Sequence, residues 1–227
     1  NMNMIVIGGG LAGCAAVTEL REQGYDGRVI LYCAEKHPPY ERPPLSKGSF
    51  AYLRTIEDSE RLKAALAAAG RVAVVGAGWV GLEVAAAART AGCAVTVHGR
   101  SELPLVGVLG PEVARVFADL HRAHGVELRM GREVGAEDVS EADLVVVGIG
   151  AEPRVELAER AGLAVDDGVL VDATLRTSDE DVFAVGDIAN QQHPRLGRRI
   201  RVEHWDTAKE QGKVALHDGV HEAESPA

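Results

Sequence analysis

The sequence predicts an α/β protein on parallel sheet, with one nucleotide-binding design used twice. Three observations carry this. Short runs rich in Val and Ile alternate with Ala/Leu/Glu stretches of helical period along the 227 residues. A glycine fingerprint lies between strand and helix at residues 8–13, and a second lies at residues 76–81. After the second fingerprint the strand–helix order of the first restarts.

Residues 4–7 read as a strand, 11–23 as a helix and 28–33 as a second strand. Pro38, Pro39, Pro43 and Pro44 then predict a long irregular segment over 34–50. Thr55 offers a cap oxygen, with Glu57 and Asp58 behind it, so a helix is expected from there to residue 69. Strand 71–75, helix 79–91 and strand 94–98 follow, and Pro111 suits the first turn of a helix reaching residue 124. Strands 126–129 and 144–149 complete the second unit. Runs 169–171 and 182–185 read as strands, 204–217 as a last helix, and 218–227 as a frayed tail.

Composition narrows the functions. With 34 acidic and 24 basic side chains the formal charge is −10, which argues against nucleic-acid binding. No apolar run reaches the roughly 18 residues of a membrane-spanning helix. Because residues 4–7 already read as a strand, no secretory leader is expected, and no membrane partner. Cys14, Cys33 and Cys93 lie far apart, without metal-ligand or Cys-x-x-Cys spacing. The expectation is a cytoplasmic chain with free thiols, no metal site and no dithiol chemistry.

In the first fingerprint, Gly8-Gly9-Gly10-Leu11-Ala12-Gly13, Gly8 allows a tight turn and Gly10 admits a pyrophosphate. Gly13 lets helix and strand approach, and the helix N-terminus offers N–H donors and partial positive charge. Glu35, 22 residues past Gly13, ends the next strand, where a carboxylate accepts from both ribose hydroxyls. The second fingerprint is Gly76-Ala77-Gly78-Trp79-Val80-Gly81. Its following strand ends His98-Gly99-Arg100, with glycine where the ribose acid belongs. Losing that carboxylate removes repulsion of a 2′-phosphate, and Arg100 can grip the phosphate, which predicts NADPH over NADH. The plainer reading is a solvated arginine beside a relaxed NAD site. His98 either stacks on adenine or sits on the rim. Two dinucleotide sites together predict flavin plus nicotinamide.

Tyr40-Glu-Arg-Pro-Pro-Leu-Ser-Lys47 resembles the FAD-dependent ferredoxin reductases of oxygenase systems, of the putidaredoxin, rubredoxin and biphenyl-dioxygenase types. Residues 76–83, Val147-Gly148-Ile149-Gly150-Ala-Glu-Pro-Arg154, Ala184-Val-Gly186-Asp187 and Arg201-Val-Glu203-His204-Trp205 match the same family in order. The resemblance implies two Rossmann-like domains in a glutathione-reductase-like arrangement. Residues 1–52 with 153–227 would form the FAD domain, and 53–152 the NAD(P)H domain. Arg42, Pro43 and Lys47 would lie along the flavin, with Lys47 paired to Glu83 where hydride crosses. Asp187 would bind the ribityl chain, and Glu203, His204 and Trp205 would run beneath the ring. From the residues alone, Lys47 and Glu83 are ordinary surface charges and Trp205 is equally a core aromatic. Arg195, Arg198, Arg199 and Arg201 form the one basic cluster on an acidic chain. They either steer an acidic iron–sulfur partner or decorate a solvated hairpin.

The chain also departs from the family. Phe50-Ala-Tyr-Leu-Arg-Thr55 joins the flavin loop almost directly to the second unit, where the family has several strands. Residues 133–141 are too short for the usual hairpin, and the family's domain after the Trp205 helix is expected to be missing. The expectation is an FAD-dependent NAD(P)H:ferredoxin reductase type of enzyme with an incomplete FAD domain. The alternative is a truncated nucleotide-binding protein without turnover. A disulfide reductase fails for want of a cysteine pair, and a peroxidase-like relative for want of cysteine in residues 38–50.

Overall fold

The computed structural model describes residues 4–34 and 55–223, with side chains through residue 215. The Tyr40–Lys47 motif lies outside the described residues, and with it Glu35, Arg42, Pro43 and Lys47. The chain divides into two compact units, Asn1–Glu41 with Glu152–Ala227, and Arg42–Ala151.

The first unit opens with β1 (Met4–Ile7), α1 (Leu11–Glu22) and β2 (Val29–Tyr32), the two strands parallel with Met4 opposite Val29. Ala16 and Leu20 of α1 are buried against Met4, Tyr25 and Val29. The apolar stripe at helical spacing therefore makes the βαβ unit.

The second unit starts at α2 (Ile56–Ala68), where Thr55 and Asp58 form the reciprocal cap that their spacing predicts. It continues through β3 (Arg71–Val75), α3 (Trp79–Thr90), β4 (Ala94–Gly99), α4 (Val106–Ala123), β5 (Val126–Met130) and β6 (Leu144–Val147). The sheet runs β5-β4-β3-β6, all pairs parallel. Val72, Val74, Val95, Val97 and Val146 meet Leu62, Leu66, Val84 and Ala85 in one core. Each fully buried aliphatic side chain contributes about 1.5–3 kcal/mol. α4 is broken at Gly110 (φ 74°), and Pro111 opens its main stretch, as a missing N–H at a helix start permits.

The chain returns to the first unit through α5 (Glu156–Arg160), β7 (Val169–Val171), β8 (Ala189–His193), β9 (Arg198–Arg201) and α6 (Trp205–Ala223). β7 pairs parallel with β8, and β8 antiparallel with β9. Residues 182–185 are not the expected strand. They make a single bridge, Arg176 to Phe183, and pack Phe183, Ala184 and Val185 on the core of Val169, Val171 and Leu175. The strands lie instead at the polar Asn190-Gln191-Gln192 run and its arginine-rich return. α6 packs along α1, so closely at Gly212 that a Cβ there would stand 2.8 Å from the Ala12 carbonyl oxygen.

Candidate functional site

Each unit holds one glycine cradle at a helix N-terminus. In the first, Gly8 turns the chain at φ +112°, a conformation only glycine adopts without strain. A Cβ on Gly13 would fall 2.1 Å from the Gly8 carbonyl oxygen. At Gly10, by contrast, a Cβ would meet nothing within 4 Å, so the space over the turn is open. Gly10 caps α1 without a side-chain hydrogen bond, and the first turn carries no acid. The first helical bond runs from the Cys14 N–H to the Gly10 carbonyl at 3.0 Å. The amides of Leu11, Ala12 and Gly13 precede it and face outward from the helix end. Open space, free donors and an N-terminal dipole without competing carboxylate suit the pyrophosphate of a dinucleotide such as FAD.

The second cradle repeats the geometry. Gly76 sits at φ +111°, and a Cβ on Gly81 would lie 2.0 Å from its carbonyl oxygen. Gly78 caps α3 with no side-chain bond and open space above it. The amides of Trp79, Val80 and Gly81 precede the first helical bond, Leu82 N–H to Gly78 carbonyl at 3.0 Å. Gly148 backs this turn: its N–H donates to the Val75 carbonyl at 2.7 Å, and its own carbonyl oxygen would be 2.1 Å from a Gly76 Cβ. Gly150 follows at φ +125°. Trp79 is half-exposed beside the cradle, edge-on to Phe117 with centroids 5.7 Å apart. Glu83 is exposed on α3; its expected partner, Lys47, lies outside the described residues.

Around the end of β4 the structure adds residues that sequence reasoning missed. A side chain at Gly99 would collide with the Met130 thioether, 2.7 Å from Cε and 3.1 Å from Sδ. Met130 thus fills the space that an acid at this strand end would occupy. Arg100 is exposed next to it, and the Arg132 N–H bonds the Gly99 carbonyl at 3.4 Å.

His98 is 1% exposed, which corrects both positions considered for it, the rim and an adenine stack. The reason is strand parity. Val95 and Val97 point into the core, so Thr96 and His98 point to the other face, where Thr96 bonds Glu127 at 3.0 Å. Among the described residues the His98 Nε2 has no hydrogen-bond partner. Burial, then the Arg129 guanidinium, hold its pKa below the ordinary value, against Asp138. A folded pKa below the unfolded ~6.5 means stability that is complete above that pH and lost as pH falls through the window beneath it. The thermal midpoint is therefore expected to drop between pH 7 and 5.5, and His98→Leu to flatten the drop. His121, lowered by burial and by His124, keeps part of the slope. An unchanged slope in the variant contradicts the assignment.

In the first unit the Gly186-Asp187 turn reaches the first cradle. Gly186 has φ +78°, and a Cβ on it would stand 3.0 Å from Ala12 Cβ and 3.6 Å from Ala208 Cβ. Its N–H donates to Gln211 Oε1 of α6 at 2.8 Å. The turn that carries Asp187 is thus wedged between the start of α1 and the first turns of α6. Glu203, His204 and Trp205 are exposed at the entry to α6; Trp205 is 45% exposed, with Lys209 Nζ 5.1 Å above its ring. Trp205 is therefore not a core aromatic.

Of the four arginines, Arg195, Arg198 and Arg199 are exposed at the hairpin, and Arg201 is partly buried. Arg199 donates to the carbonyls of Val171 (3.1 Å) and Asn190 (2.8 Å), stitching β7, β8 and β9 together. The Arg201 side chain, 13% exposed, bonds Asp167 Oδ1 at 3.1 Å and Glu203 Oε1 at 2.6 Å. Burial opposes its charge, and Glu203 and then Asp167 outweigh that, so its pKa is raised. Arg199 keeps an exposed side chain despite its two carbonyl bonds, and Arg195 and Arg198 are likewise exposed.

Cys14, Cys33 and Cys93 are all unbridged. Among the described residues no cluster of His, Cys, Asp or Glu is arranged to hold a metal ion, and no helix is long and apolar enough to cross a membrane.

Two uncapped glycine cradles on parallel βαβ units define the class of dinucleotide-binding α/β proteins that use two such ligands. The sequence profile of the pyridine nucleotide-disulphide oxidoreductases matches residues 2–52 and 47–212, and the chain belongs to that family. It is 44% identical over 189 residues to the anthranilate 1,2-dioxygenase system ferredoxin–NAD(+) reductase component of Burkholderia cepacia, over 76% of this chain and 46% of that one. Rhodocoxin reductase of Rhodococcus erythropolis is 31% identical, with 93% of this chain and 70% of that one aligned. That alignment has 301 positions, more than the 227 residues here, so segments of the relative have no counterpart in this chain. The two matched pieces of the family profile overlap at residues 47–52, next to the Phe50–Thr55 junction at which the sequence departs from the family. Among solved structures, a ferredoxin reductase from Rhodopseudomonas palustris superposes with TM-score 0.86 at 28% identity, covering 96% of this chain and 76% of that one. The reductase of a covalent putidaredoxin reductase–putidaredoxin complex does so with TM-score 0.84 at 26% identity, covering 95% and 74%. The chain thus spans between about half and three quarters of the relatives it matches, and its fold is theirs in part.

Proposed function

We propose that the chain is an FAD-dependent NAD(P)H oxidoreductase passing electrons from nicotinamide through flavin to a ferredoxin- or rubredoxin-type iron–sulfur protein. The carrying observation is the pair of open, uncapped glycine cradles, one in each unit of a ferredoxin-reductase fold. Bound FAD would supply the passage from two-electron to one-electron chemistry that no side chain performs.

The residues divide as follows. Gly8, Gly10 and the amides of Leu11, Ala12 and Gly13 hold the FAD pyrophosphate, and Glu35 its ribose. Asp187 would hold the ribityl chain, and Glu203, His204 and Trp205, with Arg42, Pro43 and Lys47 as the resemblance implies, would border the ring. In the second unit Gly76, Gly78, Trp79, Val80 and Gly81 hold the nicotinamide dinucleotide, with Gly148 and Gly150 behind. Lys47 and Glu83 would serve the hydride step, as the family resemblance implies, and positioning would carry its rate, since that step needs no acid or base. NADPH is preferred over NADH: glycine replaces the ribose acid, and Arg100 stands exposed beside it. Arg195, Arg198 and Arg199, exposed at the hairpin, would face the acidic partner. Unbridged thiols agree with a cytoplasmic setting.

A second reading, a nucleotide-binding protein without turnover, is suggested by the family profile matching in two pieces that overlap at residues 47–52 instead of as one run. Flavin content and ferredoxin-dependent reduction of cytochrome c separate the two. One FAD per chain with turnover supports the reductase. NADPH binding by a flavin-free chain supports the second reading.

A further inference from the structure

Arg201 ends β9, yet its side chain turns inward and bonds three segments remote from one another in sequence. Nε donates to Asp167 Oδ1 at 3.1 Å, and one terminal nitrogen donates both to the Asp187 carbonyl at 3.1 Å and to Glu203 Oε1 at 2.6 Å. The chain is cleared to let this happen. Gly168 has φ +115°, and a Cβ there would stand 2.9 Å from Arg201 Cδ and 2.5 Å from the Ile188 carbonyl oxygen. Asp167 itself is bent to φ +43°. A guanidinium with two carboxylate partners and little exposure offers no positive field to a partner protein, so the steering role does not fit it.

We infer that Arg201 is a positioning residue of the flavin site, its fork fixing the Asp187 turn relative to the Glu203 segment so that both face one cofactor. The inference rests on the proposal that this unit carries FAD. The fork matters chemically. Two N–H directions separate Asp167 from Glu203 and the Asp187 carbonyl, and a lysine ammonium cannot reproduce that fixed geometry. Removing the guanidinium also leaves the Glu203 carboxylate uncompensated beside the ring, which opposes adding electrons there.

The test is FAD titration by flavin fluorescence, with the midpoint potential of the bound flavin, on the wild-type chain, Arg201→Lys, Arg201→Gln and Arg201→Gln/Glu203→Gln. Arg201→Gln is expected to weaken FAD binding by roughly tenfold or more, because the Asp187 turn and the Glu203 segment lose their shared anchor, and to make the potential more negative. Arg201→Lys falls between, and the double variant recovers the potential because the uncompensated charge is gone. NADPH binding, made in the other unit, stays unchanged in all. Arg201→Gln within about threefold of wild type at an unshifted potential overturns the inference while leaving the flavin proposal intact. Should Arg201→Gln lose its circular-dichroism melting transition, Arg201→Lys decides: affinity and potential equal to wild type overturn the inference. A wild-type chain that takes up no FAD overturns the flavin proposal itself, and this inference with it.

Discussion

Alanine at Gly13 is expected to abolish flavin retention while leaving NADPH binding intact, and alanine at Gly81 to do the reverse. The added Cβ would stand 2.1 Å from the Gly8 oxygen in the first case and 2.0 Å from the Gly76 oxygen in the second. Both obstacles are backbone, and each belongs to a glycine already held at positive φ, so no side chain can swing aside. The helix start must move away from its strand by about an ångström, and the N–H donors move with it. A displacement of that size costs on the order of 100-fold where several groups must meet one ligand. Calorimetric titration of each dinucleotide into each variant measures it. Retention of both ligands within tenfold by either variant contradicts the cradle geometry.

Exchanging the end of β4, Gly99→Glu with Arg100→Ala, is expected to turn coenzyme preference toward NADH by about 100-fold or more. Loss of one charge-assisted phosphate contact accounts for roughly 1.5–3 kcal/mol, and the new carboxylate adds repulsion of the 2′-phosphate while gaining the ribose hydroxyls. The obstacle is Met130, whose Cε lies 2.7 Å from the new Cβ. Its thioether is the flexible end of an unbranched side chain, so it can rotate away, and Met130→Ala in the same background relieves any remaining strain. The measurement is kcat/KM for both coenzymes. A wild type that already prefers NADH removes the role given to Arg100.

The features legible in the sequence are those whose geometry is local. A glycine fingerprint encodes its own turn, its open face and its close approach within six residues, so both cradles can be read from residue order alone. The Thr55–Asp58 cap is legible for the same reason. The place of Asp187 is not. It depends on Gly186 fitting against Ala12 and Ala208, and on α6 touching α1 at Gly212, contacts between segments far apart in the chain. β8 escapes a reading by pattern because Asn190-Gln191-Gln192 carries no apolar alternation. The apolar run 182–185 misleads because three of its residues pack on a core without joining a ladder. His98 shows a half-used signal: parity with Val95 and Val97 places it on the opposite face, but period alone does not say that this face is closed. Arg201 is the largest omission. An arginine among other arginines reads as surface charge until Asp167 and Glu203 are seen on either side of it.

The proposal that one chain takes both flavin and nicotinamide and passes hydride from one to the other is tested most directly by the visible absorption spectrum of the purified chain before and after anaerobic NADPH. A flavin band that bleaches on addition is the predicted result, and it requires both cradles filled. A protein that stays colourless after FAD is supplied contradicts the account, since the shortened first unit would then hold no flavin and the reductase chemistry would belong to the relatives alone.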